Sequence, residues 1–147
     1  MKRRILCTAL PFLLLFSLLC GCGRSFAEKA SRSYNIVVNA VNETDMTMFA
    51  IEAEIRYNGI NSGNRVLGRS DKKRLEFGES INFVYEQEDL PLGTSFDIKF
   101  YIIGANNIGT GCRGLISLDA EYGEVYYVRL TGNGPATLTA ELYTPEK

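Results

Sequence analysis

From Tyr34 onward, apolar and polar residues alternate with the period of β-strands, and turn-forming residues recur at short intervals. Between Met48 and Tyr57 the alternation is clean: Phe49, Ile51, Ala53, Ile55 and Tyr57 share one face, and Glu52, Glu54 and Arg56 the other. Side chains of a strand point to opposite sides in turn, so one face enters a core and the other meets water. Tyr34 to Asn42 sets Tyr34, Ile36, Val38 and Ala40 against Asn35, Val37 and Asn39. Ser80 to Glu86 offers Ile81, Phe83 and Tyr85, while Ala136 to Tyr143 offers Leu138, Ala140 and Leu142 against Thr137, Thr139 and Glu141. Ser95 to Ile103 and Glu124 to Leu130 are apolar on both faces over part of their length. A short strand is expected at Leu115 to Asp119 and another at Arg65 to Gly68.

Asn58-Gly59, Phe77-Gly78-Glu79, Leu90-Pro91-Leu92-Gly93, Tyr122-Gly123 and Gly132-Asn133-Gly134-Pro135 punctuate these runs as turns. No stretch after Ser33 carries a helical stripe. The pattern predicts an all-β fold: a single antiparallel β-sandwich of about seven strands over residues 34–147, immunoglobulin-like or transthyretin-like, with a small β-barrel as the alternative.

The first residues follow a different rule. Lys2, Arg3 and Arg4 precede an apolar run from Ile5 to Leu19, broken only by Thr8, Pro11 and Ser17. At helical rise that run spans roughly 22 Å, short of the ~30 Å hydrocarbon core of a bilayer, which fits a secretion signal better than a permanent transmembrane helix. It ends in Leu19-Cys20-Gly21-Cys22, which resembles the lipobox of bacterial lipoproteins. The resemblance implies cleavage between Gly21 and Cys22, a thioether-linked diacylglycerol on Cys22 and a second acylation of the new amino terminus. Residues 1–21 are then the signal peptide and residues 22–33 the lipidated cysteine and its tether. Each buried acyl CH₂ is worth about 0.8 kcal/mol, so two or three chains hold durably where one does not. Lipoproteins of two-membrane cells that lack Asp after the lipidated cysteine usually reach the outer membrane, and here Gly23 stands in that place. The expected location is the cell envelope, on the periplasmic side of the outer membrane if the cell has one. Gly23 to Ser33 is polar without sustained periodicity, and as a flexible coil it spans roughly 18 Å.

Loss of the signal takes Lys2, Arg3 and Arg4 from the 16 basic residues and none of the 17 acidic ones, so the net charge moves from −1 to −4. A mildly acidic exported domain is a poor nucleic-acid binder. Cys7 and Cys20 leave with the signal and Cys22 carries lipid, which leaves Cys112 without an intramolecular disulfide partner.

The chain has no histidine, which excludes Ser–His triads, Cys–His pairs and the common zinc sites within it. Glu86, Glu88 and Asp89 lack the spaced oxygens and central glycine of a calcium loop and read as a solvated acidic turn. Asp71-Lys72-Lys73-Arg74 also reads as a solvated turn, with anionic lipid or cell-wall polymer as the alternative contact. Gly109-Thr110-Gly111-Cys112-Arg113-Gly114 matches a dinucleotide fingerprint, but Leu115-Ile116-Ser117-Leu118 reads as strand where a helix would have to open. Its similarity to the cysteine neighbourhood of cell-wall L,D-transpeptidases stops at Arg113, which follows Cys112 directly with no histidine to activate the thiol. Asn42-Glu43-Thr44 is a glycosylation sequon of no expected use in a bacterial protein.

The expected function is therefore a non-enzymatic one, without cofactor or metal: a membrane-anchored interaction or scaffolding module with an envelope protein partner. Alternatives are a small-ligand or cell-wall glycan binder and the lipoprotein subunit of a secretion assembly. Gly104 to Gly114 is expected to form a long flexible loop carrying Asn107, Cys112 and Arg113, with Cys112 either buried as a small hydrophobe or exposed for intermolecular pairing. Tyr101 and Ile103 of one doubly apolar strand and Val125 and Tyr127 of the other are expected to face outward and, if adjacent, to form one apolar and aromatic contact patch.

Overall fold

A computed structural model describes residues 34–145; the signal and tether lie outside the described residues. Nine strands form two packed sheets: β1 (Ile36–Thr44), β2 (Ala50–Tyr57), β3 (Ile60–Gly68), β4 (Ser80–Tyr85), β5 (Ser95–Ile103), β6 (Gly109–Gly111), β7 (Ile116–Asp119), β8 (Val125–Gly132) and β9 (Thr139–Tyr143). One sheet has the order β4-β1-β8-β9; the other runs β3-β2-β5, with β6 and β7 both on the far side of β5. The sheets do not close on one another, so the fold is a sandwich and not a barrel. Among the described residues no helix is long and apolar enough to cross a membrane.

All pairings between these strands are antiparallel except one; the isolated bridge between Arg113 and Thr139 is also parallel. β1 and β8 run parallel from Val37 opposite Val125 to Thr44 opposite Gly132. The first sheet is therefore mixed, within a sandwich whose strands are mostly antiparallel, as expected from the sequence. Each inner face follows the alternation in the chain. Ile36, Val38, Ala40, Phe83, Tyr85, Val128 and Leu130 come from the first sheet, and Ile51, Ala53, Ile55, Phe96, Ile98, Phe100 and Ile102 from the second. Phe83 and Phe100 meet edge-on across the sandwich, their centroids 6.1 Å apart, as do Tyr85 and Phe96 at 6.2 Å.

Two strands exceed the expectation. β3 begins at Ile60 because Asn58 (φ 51°) and Gly59 (φ 80°) form a two-residue turn whose doubly positive φ matches the twist of the strands it joins. That turn registers Tyr57 with Ile60 and makes a strand of Ile-Asn-Ser-Gly-Asn, which has no periodicity of its own. β6 arises inside the expected loop: Gly109 to Gly111 pair with Ile103 to Tyr101, leaving only a short turn through Asn107. β6 and β7 are two pieces of one interrupted edge strand beside β5, and the glycine run from Gly109 to Gly114 supplies β6 and the break.

Asn42 is buried at 1 % exposure, and its side-chain amide is fully engaged. Its Nδ2 donates to the carbonyls of Leu75 and Glu76, both at 3.1 Å. Its Oδ1 accepts from the Thr44 N–H at 3.0 Å and the Thr44 hydroxyl at 2.9 Å. One amide thus fastens the β3–β4 connection to the central strand, and the sequon cannot accept a sugar in the folded domain. Within the same connection Arg69 pairs with Asp71 and Glu79, and Arg74 with Glu76.

Asn42→Ala leaves the Leu75 carbonyl and the Thr44 hydroxyl without their buried partner, and a stability loss of about 3 kcal/mol is expected in urea unfolding. A loss below about 1 kcal/mol would show that the amide does not hold the connection.

Candidate functional site

The two pairs of outward residues do not meet. Tyr101 and Ile103 lie on β5 in one sheet, and Val125 and Tyr127 on β8 in the other, so they occupy opposite outer faces of the sandwich. The single patch expected from the sequence does not form, because only long-range pairing decides which strands are neighbours.

On the second sheet the outward side chains are already engaged. Tyr101 donates its hydroxyl to Glu54 Oε2 at 2.9 Å, and Arg56 Nε donates to Glu54 Oε1 at 2.8 Å. Gly111 stands opposite Tyr101 in β6; a Cβ there would lie 3.2 Å from the tyrosine ring, so the missing side chain makes room for it. Burial alone would raise the Glu54 carboxyl, but the hydrogen bonds from Arg56 and Tyr101 and the charges of Arg56 and Lys99 outweigh it and hold it below its ordinary 4.5. Burial first, and then the bond to Glu54, raise the Tyr101 phenol. Ile103 is buried at 8 % exposure, not presented to solvent.

The residues of the glycine run serve the scaffold. Asn107 (φ 62°) occupies the β5–β6 turn, where its N–H donates to the Gly104 carbonyl at 3.0 Å. Cys112 is buried at 1 % exposure, which settles its two alternatives in favour of the core. Its N–H donates to the Phe100 carbonyl at 2.8 Å, and its carbonyl accepts from Lys99 Nζ. Burial pushes the thiol up to about 12, with Lys99 opposing only in part. Arg113 is exposed, but its N–H donates to the Leu138 carbonyl at 2.8 Å and ties the second sheet to the start of β9.

Val125 and Tyr127 do belong to an open surface, with partners the sequence did not place beside them. Tyr127 stands opposite Tyr143 of β9, and the two rings meet edge-on with centroids 6.1 Å apart. Arg129 lies over the Tyr143 ring at 5.9 Å and pairs with Glu141 at 3.1 Å. Val125, Tyr126, Tyr127, Leu142, Tyr143 and Pro145 line a shallow groove of about 650 Å³ at this end of the sheet. Leu142 was expected in the core. It keeps the inward register opposite Val128, but it stands on the edge strand and is 46 % exposed. The outer side of β9 is paired only at its start, through Arg113; from Ala140 to Tyr143 no described strand covers it.

Two outcomes follow from these environments. Because the folded-state carboxyl of Glu54 lies below 4.5, its stabilisation is fully present above that pH and is lost as pH falls through the lower folded value. Glu54→Gln is expected to lower stability at neutral pH and to flatten its acid dependence in unfolding curves taken across pH; an unchanged acid limb would rule out this role. Cys112 is expected to resist iodoacetamide at about pH 8 in the native protein and to react after urea unfolding, as mass spectrometry would read.

No protein-family model matches the chain, and no curated protein matches it. Among solved structures, it is similar to a Gram-negative toxin at 14 % identity and TM-score 0.38, over 78 % of this chain and 24 % of that one. It is also similar to intermedilysin in a structure with human CD59, at 10 % identity and TM-score 0.38, over 77 % of this chain and 25 % of that one. Listeriolysin O gives 10 % identity and TM-score 0.37, over 77 % of this chain and 23 % of that one. The chain spans about a quarter of the length of each, and likeness of this degree assigns neither family nor activity.

Proposed function

We propose that this chain is a lipoprotein of the bacterial cell envelope, anchored through acyl chains on Cys22, whose β-sandwich is a non-enzymatic protein-interaction or scaffolding module. In a cell with two membranes its place is the periplasmic face of the outer membrane. The basic start, the apolar run and the Leu19-Cys20-Gly21-Cys22 ending support the anchor. The observation that carries the interaction reading is the uncovered edge of β9 beside a groove lined by Val125, Tyr127, Leu142 and Tyr143. An exposed strand edge offers main-chain donors and acceptors in register, and an adjoining apolar groove gives side-chain selectivity. The partner that fits is an extended segment of an envelope protein adding to the first sheet beyond β9.

In cells fed labelled palmitate, the protein is expected to carry the label and to fractionate with membranes, and Cys22→Ser to lose both properties. Label retained on Cys22→Ser would overturn the anchor. A photoreactive residue at Leu142 is expected to give a saturable protein adduct that is lost when Tyr127→Lys is added, whereas a probe at Val66 on β3 gives none. Equal adducts from both positions, or none from Leu142, would overturn the edge-binding reading.

A further inference from the structure

β9 turns one side of its backbone to β8 and, over its second half, leaves the other without a described strand. Along a strand the N–H and C=O of one residue point the same way, and the direction alternates from residue to residue. The Leu138 carbonyl accepts from the Arg113 N–H at 2.8 Å, on the side away from β8. By that alternation Ala140 and Leu142 also point away from β8, while Glu141 and Tyr143 face it beside Arg129 and Tyr127. The main-chain groups on offer to a further strand therefore centre on Leu142, and the bridge from Arg113 to Thr139 closes the edge ahead of Ala140.

The side chains of this edge limit what can be added. Leu142 points inward opposite Val128 yet is 46 % exposed, because no described strand lies beyond β9 to cover it. Glu141 and Tyr143 lie on the outer face, where Arg129 pairs with Glu141 at 3.1 Å and sits over the Tyr143 ring at 5.9 Å. An added strand must bring an apolar residue opposite Leu142 and no carboxylate opposite Glu141, since like charges directly opposite destabilise a sheet. β9 itself meets both demands when it runs antiparallel to a copy of itself about a two-fold axis at Leu142. The axis is perpendicular to the sheet, so inner side chains meet inner ones and outer meet outer. Leu142 then stands opposite Leu142 of the second copy, Glu141 opposite Tyr143, and Ala140 opposite Thr144. An axis at Glu141 fails twice: it opposes two Glu141 carboxylates, and it asks for pairing at Thr139, which Arg113 already holds. An axis at Tyr143 reaches only from Glu141 to Pro145 and leaves the Ala140 carbonyl unpaired.

The geometry points to a second copy of this chain as the partner: two copies pair through β9 from Ala140 to Thr144 and join their four-stranded sheets into one. This pairing rests on the proposed use of the β9 edge and names its occupant, since β9 of the second copy is itself an extended segment of an envelope protein. Across the joint the outer face reads Arg129, Glu141, then Tyr143 and Tyr127 of the second copy, and its two-fold equivalent runs beside it. Each row sets an ion pair against a pair of tyrosine rings, so no charge directly faces its like. On the inner face the two Leu142 side chains cover one another. A single short strand pairing is a small contact for a stable dimer in dilute solution. Confinement of both copies to one bilayer, through the proposed anchor on Cys22, raises their effective concentration. The two-fold axis then lies along the membrane normal, so that both tethers reach the same lipid.

The test is disulfide capture in membranes from cells that make the full chain. Leu142→Cys sets two thiols opposite each other with Cα atoms about 5.5 Å apart, within disulfide reach. Mild oxidation is expected to give a covalent dimer whose linked peptide, read by mass spectrometry, joins position 142 to itself. The yield should exceed that of Val66→Cys on β3 about tenfold, because only the first pair is held in reach. Glu141→Cys alone is expected to give little, since the register holds it opposite Tyr143; co-expressed with Tyr143→Cys it is expected to give the mixed dimer. Continued resistance of the buried Cys112 to iodoacetamide shows that each variant is folded. No dimer from a folded Leu142→Cys, or equal dimer from Val66→Cys, would overturn the second copy as partner. A Glu141→Cys dimer with itself that exceeds the mixed one would overturn the register. If Leu142→Cys gives no dimer while a photoreactive residue at Leu142 still captures another protein, the edge reading stands with a different occupant; loss of both products removes the edge reading as well.

Discussion

The parallel pairing of β1 with β8 is the constraint on which the rest of this fold depends. It places the first strand of the domain beside one of the last, so no part of the chain between them can be left out of the cooperative unit. Val38, Ala40, Val128 and Leu130 are all fully buried on its inner face. Once β1 is enclosed by β8 on one side and β4 on the other, β9 has only the far side of β8 to occupy. The groove at Tyr127 and Tyr143 is a consequence of that order.

Strands with an apolar face of their own were legible in the chain. Ser95 to Ile103 is a strand over its whole expected length, and the alternation assigns Ile36, Val38, Ala40, Ile51, Ala53, Ile55 and Tyr57 to the core correctly, but not Tyr34, which is exposed ahead of β1, or Phe49, in whose place Met48 is buried. β3 and β6 were not fully legible because their order is borrowed. β3 takes it from the Asn58-Gly59 turn and the ladder to β2, and β6 from pairing with the end of β5. Neither buries enough apolar surface to announce itself, and nearly every residue of β3 is exposed.

The candidate site divides along the same line. That Val125 and Tyr127 face outward was readable from period two alone. That Tyr143 joins them, that Leu142 is half-open, and that Tyr101 is tied to Glu54 all depend on which strands are neighbours. The role of Asn42 was not legible for a related reason. Its sequon is a local pattern, whereas its role is set by the carbonyls of Leu75 and Glu76, far along the chain. Glycine spacing from Gly109 to Gly114 had the look of a phosphate loop, yet it serves to interrupt an edge strand and to seat the Tyr101 ring.

A sandwich of two open sheets has four edges, and natural folds blunt edges to avoid unwanted pairing. The β3 edge is irregular at Ser62 and polar, and β4 receives the Arg65 side chain on its Val84 carbonyl. The β6–β7 edge is broken by glycines and fastened through Arg113. β9 is fastened the same way at its start, but from Ala140 to Tyr143 it has no bulge and no lysine, and it carries Leu142 and Tyr143 beside a groove. Three edges carry such a device, while the second half of β9 has Glu141 as its one charged residue and is otherwise apolar and unpaired among the described strands. Uniform protection would be expected of a domain whose edges had only to avoid unwanted pairing. It is this asymmetry, and not the aromatic content of the surface at large, on which the proposed contact at the β9 edge rests.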